Sequence, residues 1–149
     1  MGADVVIRPL RIDERPDWEP LWKAYLDFYR TAVAKDVYDA TWARLHDPDE
    51  PIALLGAYVD GRLRGIVHYL YHRSCWTVGN YCYLQDLFVA EEARGRGLGR
   101  ALIEAVYGEA RAAGASRVYW LTHETNATAR ALYDTLADRP GFIQYRKLF

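Results

Sequence analysis

Residues 91 to 102 read EEARGRGLGRAL, placing three glycines and three arginines within the seven positions from Arg94 to Arg100, directly before an apolar pattern of helical spacing. Glycine permits positive φ angles and lets another molecule approach the backbone N–H groups closely. The first turn of a helix leaves its N–H groups unpaired, and the helix dipole puts its positive end in the same place. The stretch is therefore expected to hold an anion, a phosphate-bearing ligand first of all, with a plain structural turn as the alternative. Spacing narrows the choice. A dinucleotide fingerprint needs glycine or alanine three residues after the second glycine; counted from Gly95 and Gly97, that position is Arg100. A nucleotide-triphosphate loop needs Gly-Lys-Ser/Thr, and the chain has none.

Outward from this stretch, the flanking pattern is that of alternating strands and helices. YCYLQDLFV (residues 81 to 89) reads as the strand before it, and Leu98, Leu102, Ala105 and Val106 line one face of the helix after it, which Gly114 ends. Residues 51 to 73 read as two strands joined at Asp60-Gly61, and DVVIRPL (residues 4 to 10) as a further strand. Trp18, Trp22, Tyr25 and Tyr29 recur at spacings of four, three and four along one helical face, and residues 36 to 48 read as a second short helix. Beyond Gly114 the reading is strand (116 to 122), helix (126 to 137) and a closing strand, GFIQYRKLF. With no repeat, linker or low-complexity segment, residues 1 to 149 are expected to form one α/β domain.

Composition limits the function. The chain has 51% hydrophobic and 26% charged residues and a formal net charge of -1. That is the make-up of an ordinary globular protein with no basic field to draw nucleic acid or acidic membranes, so neither is expected as a partner. No segment has membrane-spanning length and the start carries no leader-like pattern, so a cytoplasmic location is expected. Cys75 and Cys82 are too few for a disulfide framework and are expected to stay reduced. His68 and His72, if on a strand, lie roughly 13 Å apart, too far for one ion, and no metal is expected.

Arg94-x-x-Gly97-x-Gly99, between a strand and a helix, resembles the acetyl-coenzyme A signature of the GNAT superfamily of N-acetyltransferases. The rest of that family's order follows, with Asn126 opening a helix that carries Tyr133, so the resemblance runs over residues 52 to 149. YLQDLFV is similar to the YLEDFFV strand of the spermidine/spermine and histone/polyamine-acetylating branch. LWKAYLDFY resembles the W-x-x-Y-x-x-F-Y start of the same branch, and ALYDTLADRPGFIQYRK shares its long spacing between tyrosine and Gly-Phe. The resemblance implies a mixed central sheet flanked by helices, with a bulged strand beside the signature. It also implies acetyl-CoA as co-substrate, a primary-amine acceptor of polyamine or lysine type, and a homodimer in which the C-terminal strand takes part.

By the same resemblance the cofactor-binding set is Leu87, Phe88, Val89, Arg94, Gly95, Arg96, Gly97, Leu98, Gly99, Arg100, Asn126, Arg130 and Tyr133. Backbone N–H groups from Arg96 to Arg100 suit a pyrophosphate, and main-chain groups of Leu87 and Val89 suit the pantetheine arm, with the Leu87 N–H aimed at the thioester carbonyl. Aminolysis of a thioester needs a neutral amine, though the amine pKa is ~10.4, and an acid for a thiolate of pKa ~8.5. Tyr133, two helical turns beyond Asn126, is the expected acid. Gln85 stands where the branch has glutamate and cannot take a proton. Asp86 is thus the expected catalytic carboxylate, with a structural role at the bulge as its alternative, and Glu124 is the other nearby acid. Tyr25, Asp27, Tyr29, Gln85, Asp86 and Glu124 form the expected acceptor site, while Trp22 and Phe28 are expected in the core. A non-catalytic acetyl-CoA sensor or partner domain is the competing function, favoured by Gln85 and disfavoured by Tyr133.

Overall fold

In the computed structural model, which describes residues 3–149, the two alternating runs on either side of Asp60-Gly61 form the middle of a sheet. Strand β2 (Ile52–Val59) and strand β3 (Arg62–His72) pair antiparallel, and the turn between them has positive φ at both Asp60 and Gly61, as a two-residue hairpin matched to strand twist requires. Strand β1 (Val5–Pro9) adds antiparallel to β2, strand β4 (Tyr81–Val89) adds antiparallel to β3, and β5 (Arg117–Tyr119) lies parallel to β4. The order β1-β2-β3-β4-β5 is the mixed sheet expected.

Helices cover both faces, so β3 is buried on both sides and reads as a nearly continuous apolar run. Val67 and Tyr69 face helix α3 (Leu98–Ala112), whose Leu98, Leu102, Ile103 and Val106 complete that half of the core. Ile66 points the other way, into Trp18, Trp22 and Leu26 of helix α1 (Arg15–Phe28) and Trp42 of helix α2 (Lys35–Leu45). Helix α1 starts before the first tryptophan because Pro16 fits a first helical turn, where no N–H is needed. Its entry is tied down by Glu14, which takes both nitrogens of the Arg8 fork (2.8 and 3.0 Å), the Arg11 N–H (2.7 Å) and the Tyr58 hydroxyl (3.1 Å).

Three expectations are corrected. Phe28, at the last turn of α1, is 57% exposed rather than core, because it lies off the helical face that carries the buried Trp18, Trp22 and Leu26. The strand expected over 116 to 122 is only Arg117–Tyr119, since the chain leaves β4 after Tyr119. The closing strand GFIQYRKLF is not formed: after helix α4 (Ala127–Leu136) residues 137–149 pair with no strand and are exposed throughout. A strand needs a neighbour to satisfy its backbone, and the chain by itself supplies none there.

Candidate active site

The centre of the site is made by one extra residue. Along β3 and β4, His68 pairs with Asp86 but the next residue, Tyr69, pairs with Leu84, so Gln85 is an unpaired insertion, a β-bulge. The bulge resets the alternation. Cys82 and Leu84 face α3 before it, and Leu87 and Val89 face α3 after it. Asp86 and Phe88 therefore point to the α1 side, and Gln85 is left exposed at the bulge.

On that side Asp86 meets His68, whose Nδ1 is 3.0 Å from Asp86 Oδ2. It also meets a row of phenols. Tyr25 is pushed well above the ordinary tyrosine value by burial and then by the Asp86 charge; Tyr29 and Tyr83 are raised by the same two causes in the same order. Trp22, Tyr25 and Tyr29 follow one another along α1 with ring centroids 5.1 and 4.9 Å apart, which is the aromatic face read from their spacing. Tyr29 lies 5.7 Å from the His123 ring and borders a cavity of about 460 Å³ lined by Phe28, Tyr29, Arg30, His123, Thr125 and Asn126. Tyr29 is the member of the Asp86 cluster that lines this cavity, and a carboxylate among neutral phenols favours a cation.

The glycine-rich stretch takes the predicted form. Gly95 and Gly97 both have φ of +79°, and Gly97 is the residue before α3. No side chain caps that helix and its first turn has no acidic residue, so the N–H groups of its first turn face outward without an internal anion. A Cβ added at Gly95 or Gly97 would meet nothing within 4 Å, so the space beside this backbone is open. Of the arginines, Arg94 donates to the Val89 carbonyl (3.0 Å) and lies over the Phe88 ring, and Arg100 donates to Thr135 Oγ1 (2.9 Å). Arg96 is exposed. Beyond Tyr83, β4 has no partner on its β5 side, because β5 pairs only with Tyr81, Cys82 and Tyr83 and ends at Tyr119.

Helix α4 closes the cleft. Asn126 Oδ1 caps it by accepting from the Ala129 N–H (3.4 Å), and Arg130 donates to the Glu124 carbonyl. Tyr133 packs edge-on to Trp120 with centroids 5.4 Å apart, and its pKa is raised by burial and then by nearby Tyr29. Tyr29 thus lies between Asp86 and Tyr133.

Known proteins share this sequence pattern and fold. The model of the acetyltransferase (GNAT) family matches residues 18–137. The D-amino-acid N-acetyltransferase HPA3 of Saccharomyces cerevisiae is 35% identical over 147 residues, covering 96% of this chain and 90% of that protein. The chain belongs to the GNAT acetyltransferase family. The thialysine N-epsilon-acetyltransferase of Caenorhabditis elegans is 34% identical over 80 residues, 54% of this chain and 49% of that protein. Among solved structures, the aminoglycoside N-acetyltransferase AAC(6')-Iy in complex with CoA superposes with a TM-score of 0.82 at 21% identity, covering 99% of this chain and 97% of that one.

As a GNAT acetyltransferase this chain draws on acetyl-CoA, and the open, uncapped N-terminus of α3 fits the pyrophosphate of such a co-substrate. The family's expected residues are not all gathered. Asp27 is turned away, ion-paired with Lys23 at 2.8 Å beside a different hollow, because it lies off the Trp22-Tyr25-Tyr29 face. Glu124 is exposed and meets Arg130 through its carbonyl oxygen rather than its carboxylate. Reading the sequence missed His68, Tyr83, Arg30 and His123. A lone histidine in the apolar run GIVHYLY was the available signal for the first; the others reach the site only through tertiary packing.

Proposed function

We propose that this GNAT acetyltransferase moves an acetyl group from acetyl-CoA directly to a small primary amine of polyamine or lysine type, within the spermidine/spermine and histone/polyamine-like branch. The observation that carries the acceptor class is Asp86, placed by the bulge among Tyr25, Tyr29 and Tyr83. Bound acetyl-CoA supplies an activated acetyl thioester. The backbone of Gly95 to Arg100 holds the pyrophosphate, the arginines at 94, 96 and 100 add charge, and the Leu87 N–H is available to the thioester carbonyl oxygen. Leu87, Phe88 and Val89 flank the pantetheine arm on the unpaired edge of β4, with Asn126 and Arg130 across from it on α4. Asp86 holds the acceptor ammonium and receives its proton, directly or through water. The amine nitrogen then bonds to the acetyl carbon as the carbon–sulfur bond breaks, and the Tyr133 hydroxyl donates its proton to the departing sulfur; the second proton lost by the nitrogen passes through water to restore the Tyr133 hydroxyl, and Asp86 releases the first to solvent.

A second reading of the acceptor rests on Arg30. It lines the cavity and holds a φ of +54° just after α1, a conformation glycine normally fills. An acceptor with a carboxylate beside its amine would use that cation, in keeping with the D-amino-acid relative. A homodimer through the C-terminal segment and a cytoplasmic location complete the proposal. The dimer is supported by the exposed Phe142, Ile143 and Tyr145, and the location by composition.

Thiol release measured over polyamines, lysine peptides, thialysine, D-amino acids and aminoglycosides tests the reading. Asp86→Asn is expected to lower kcat/KM for the preferred amine at least ~10-fold while acetyl-CoA affinity stays level. Equal rates with cationic and uncharged acceptors, unaffected by Asp86→Asn, would remove Asp86 from the acceptor site.

A further inference from the structure

We propose that His68, locked by Trp18 into a single tautomer, positions the Asp86 carboxylate toward the amine. The inference rests on the reading of Asp86 as the amine-facing carboxylate. His68 occupies a core position: Ile66, Val67 and Tyr69 around it on β3 are buried, and its own exposure is 5%. A buried imidazole must satisfy both ring nitrogens, and here both have partners. The Trp18 Nε1 lies 3.0 Å from His68 Nε2, and an indole nitrogen only donates. His68 Nε2 is therefore the acceptor, and the single proton of the neutral ring sits on Nδ1. That nitrogen is 3.0 Å from Asp86 Oδ2 and donates to it.

The order of hydrogen bonds is thus one-way, from Trp18 through His68 to Asp86. Its origin is held rigidly: Trp18 has no solvent exposure, Trp42 lies 4.9 Å from its ring, and the Trp22 ring lies 4.8 Å from His68. With Oδ2 held from β3, rotation of the carboxylate is restricted, and Oδ1 is the oxygen that His68 leaves free for the amine. His68 does not carry the amine's proton away, because the nitrogen to which a relay would pass it is already covered by the Trp18 N–H. Orientation is its role, as for the group that aligns a catalytic base.

Two substitutions separate the two bonds. Asn at 68 retains an N–H near Nδ1 and the bond to Asp86; Gln places its amide near Nε2, serving Trp18 but leaving Asp86 unheld. His68→Gln is expected to lose about 10-fold or more in amine kcat/KM, the scale of one charge-assisted hydrogen bond, with acetyl-CoA affinity and melting temperature close to wild type. His68→Asn is expected to recover most of that loss. A readout independent of turnover is the side-chain ¹⁵N spectrum, assigned by comparison with His68→Asn. Wild type should show His68 with a proton on Nδ1 and none on Nε2, and Trp18→Phe should admit the other tautomer. Wild-type amine kinetics in His68→Gln, equal impairment of the Gln and Asn variants, or a wild-type ring protonated on Nε2 would each overturn the proposal. A wild-type protein that acetylates no amine would instead count against the proposed function, and the tautomer would still be decided by the spectrum.

Discussion

In the proposed function, Tyr133 and Arg30 divide the site between chemistry and selection. Burial, and then Tyr29, hold the Tyr133 phenol above the ordinary tyrosine value near ~10, so it keeps its proton through the neutral range and is available as an acid. Tyr133→Phe keeps the ring against Trp120 and removes the proton; kcat should fall on the order of 100-fold with acetyl-CoA affinity unchanged. The sign of the shift adds a check, since Tyr133 should cause no decline in wild-type kcat below about pH 10. A fully active Tyr133→Phe enzyme would return this residue to packing alone. Arg30 pays for its place with a left-handed backbone that disfavours side chains by roughly 1 kcal/mol. Arg30→Gly should keep or raise thermal stability while raising KM for carboxylate-bearing amines and leaving polyamines untouched. A uniform change across acceptors would show that Arg30 does not select.

At the scale of elements, the entrance to α3 and the entrance to α1 satisfy opposite needs. The α1 entrance is closed by its own carboxylate. Hydrogen bonding from Arg8, foremost, holds Glu14 down to about 2, below its ordinary value of 4.5. Stability from a lowered carboxylate is present above the unfolded value and is lost as pH falls through the folded one. The protein should therefore lose about 2 kcal/mol between pH 4.5 and 2, after allowance for solvent screening, and Glu14→Gln should flatten that part of the curve. An unchanged acid-denaturation profile in Glu14→Gln would show that other carboxylates dominate. The α3 entrance has no side-chain cap and no acidic residue in its first turn. At Gly99 an added Cβ would meet only Leu132 at 3.5 Å and the φ is not positive, so Gly99→Ala should fold normally. Gly97→Val meets the positive φ as well and should cost about 1 kcal/mol of stability. Bulky residues at either position should weaken acetyl-CoA binding more than tenfold, about 1.4 kcal/mol; calorimetry on folded variants with unchanged affinity would refute the pyrophosphate assignment.

For the whole molecule, the unpaired C-terminal segment is the outstanding feature. Phe142, Ile143, Tyr145 and Leu148 are all at least 75% exposed, and β5 is an edge strand of the sheet. An exposed apolar segment and an open edge are each a liability that association relieves. Light scattering should give twice the chain mass for the full protein and the single mass after removal of residues 139–149. A monomeric full-length chain at micromolar concentration would reject the homodimer.

The one-dimensional pattern determined much of this protein. Local rules placed the strands of the hairpin, the face of α3 and the glycine entrance, because strand alternation, helical spacing and positive φ at glycine depend on near neighbours in the chain. They also marked the aromatic face of α1, whereas Asp86 and Tyr133 stood out only through the resemblance to the family's sequence pattern. They did not decide which way Asp86 faces, since a bulge appears only when a second strand fixes the register, and Gln85 is unmarked by type. They overextended β5 and the closing strand, whose apolar patterns await pairing that the isolated chain does not supply. And they passed over His68, because its meaning lies in two partners, 50 residues away at Trp18 and 18 at Asp86. Tertiary structure alone brings those donors and acceptors to hydrogen-bond distance in a core where each must be satisfied.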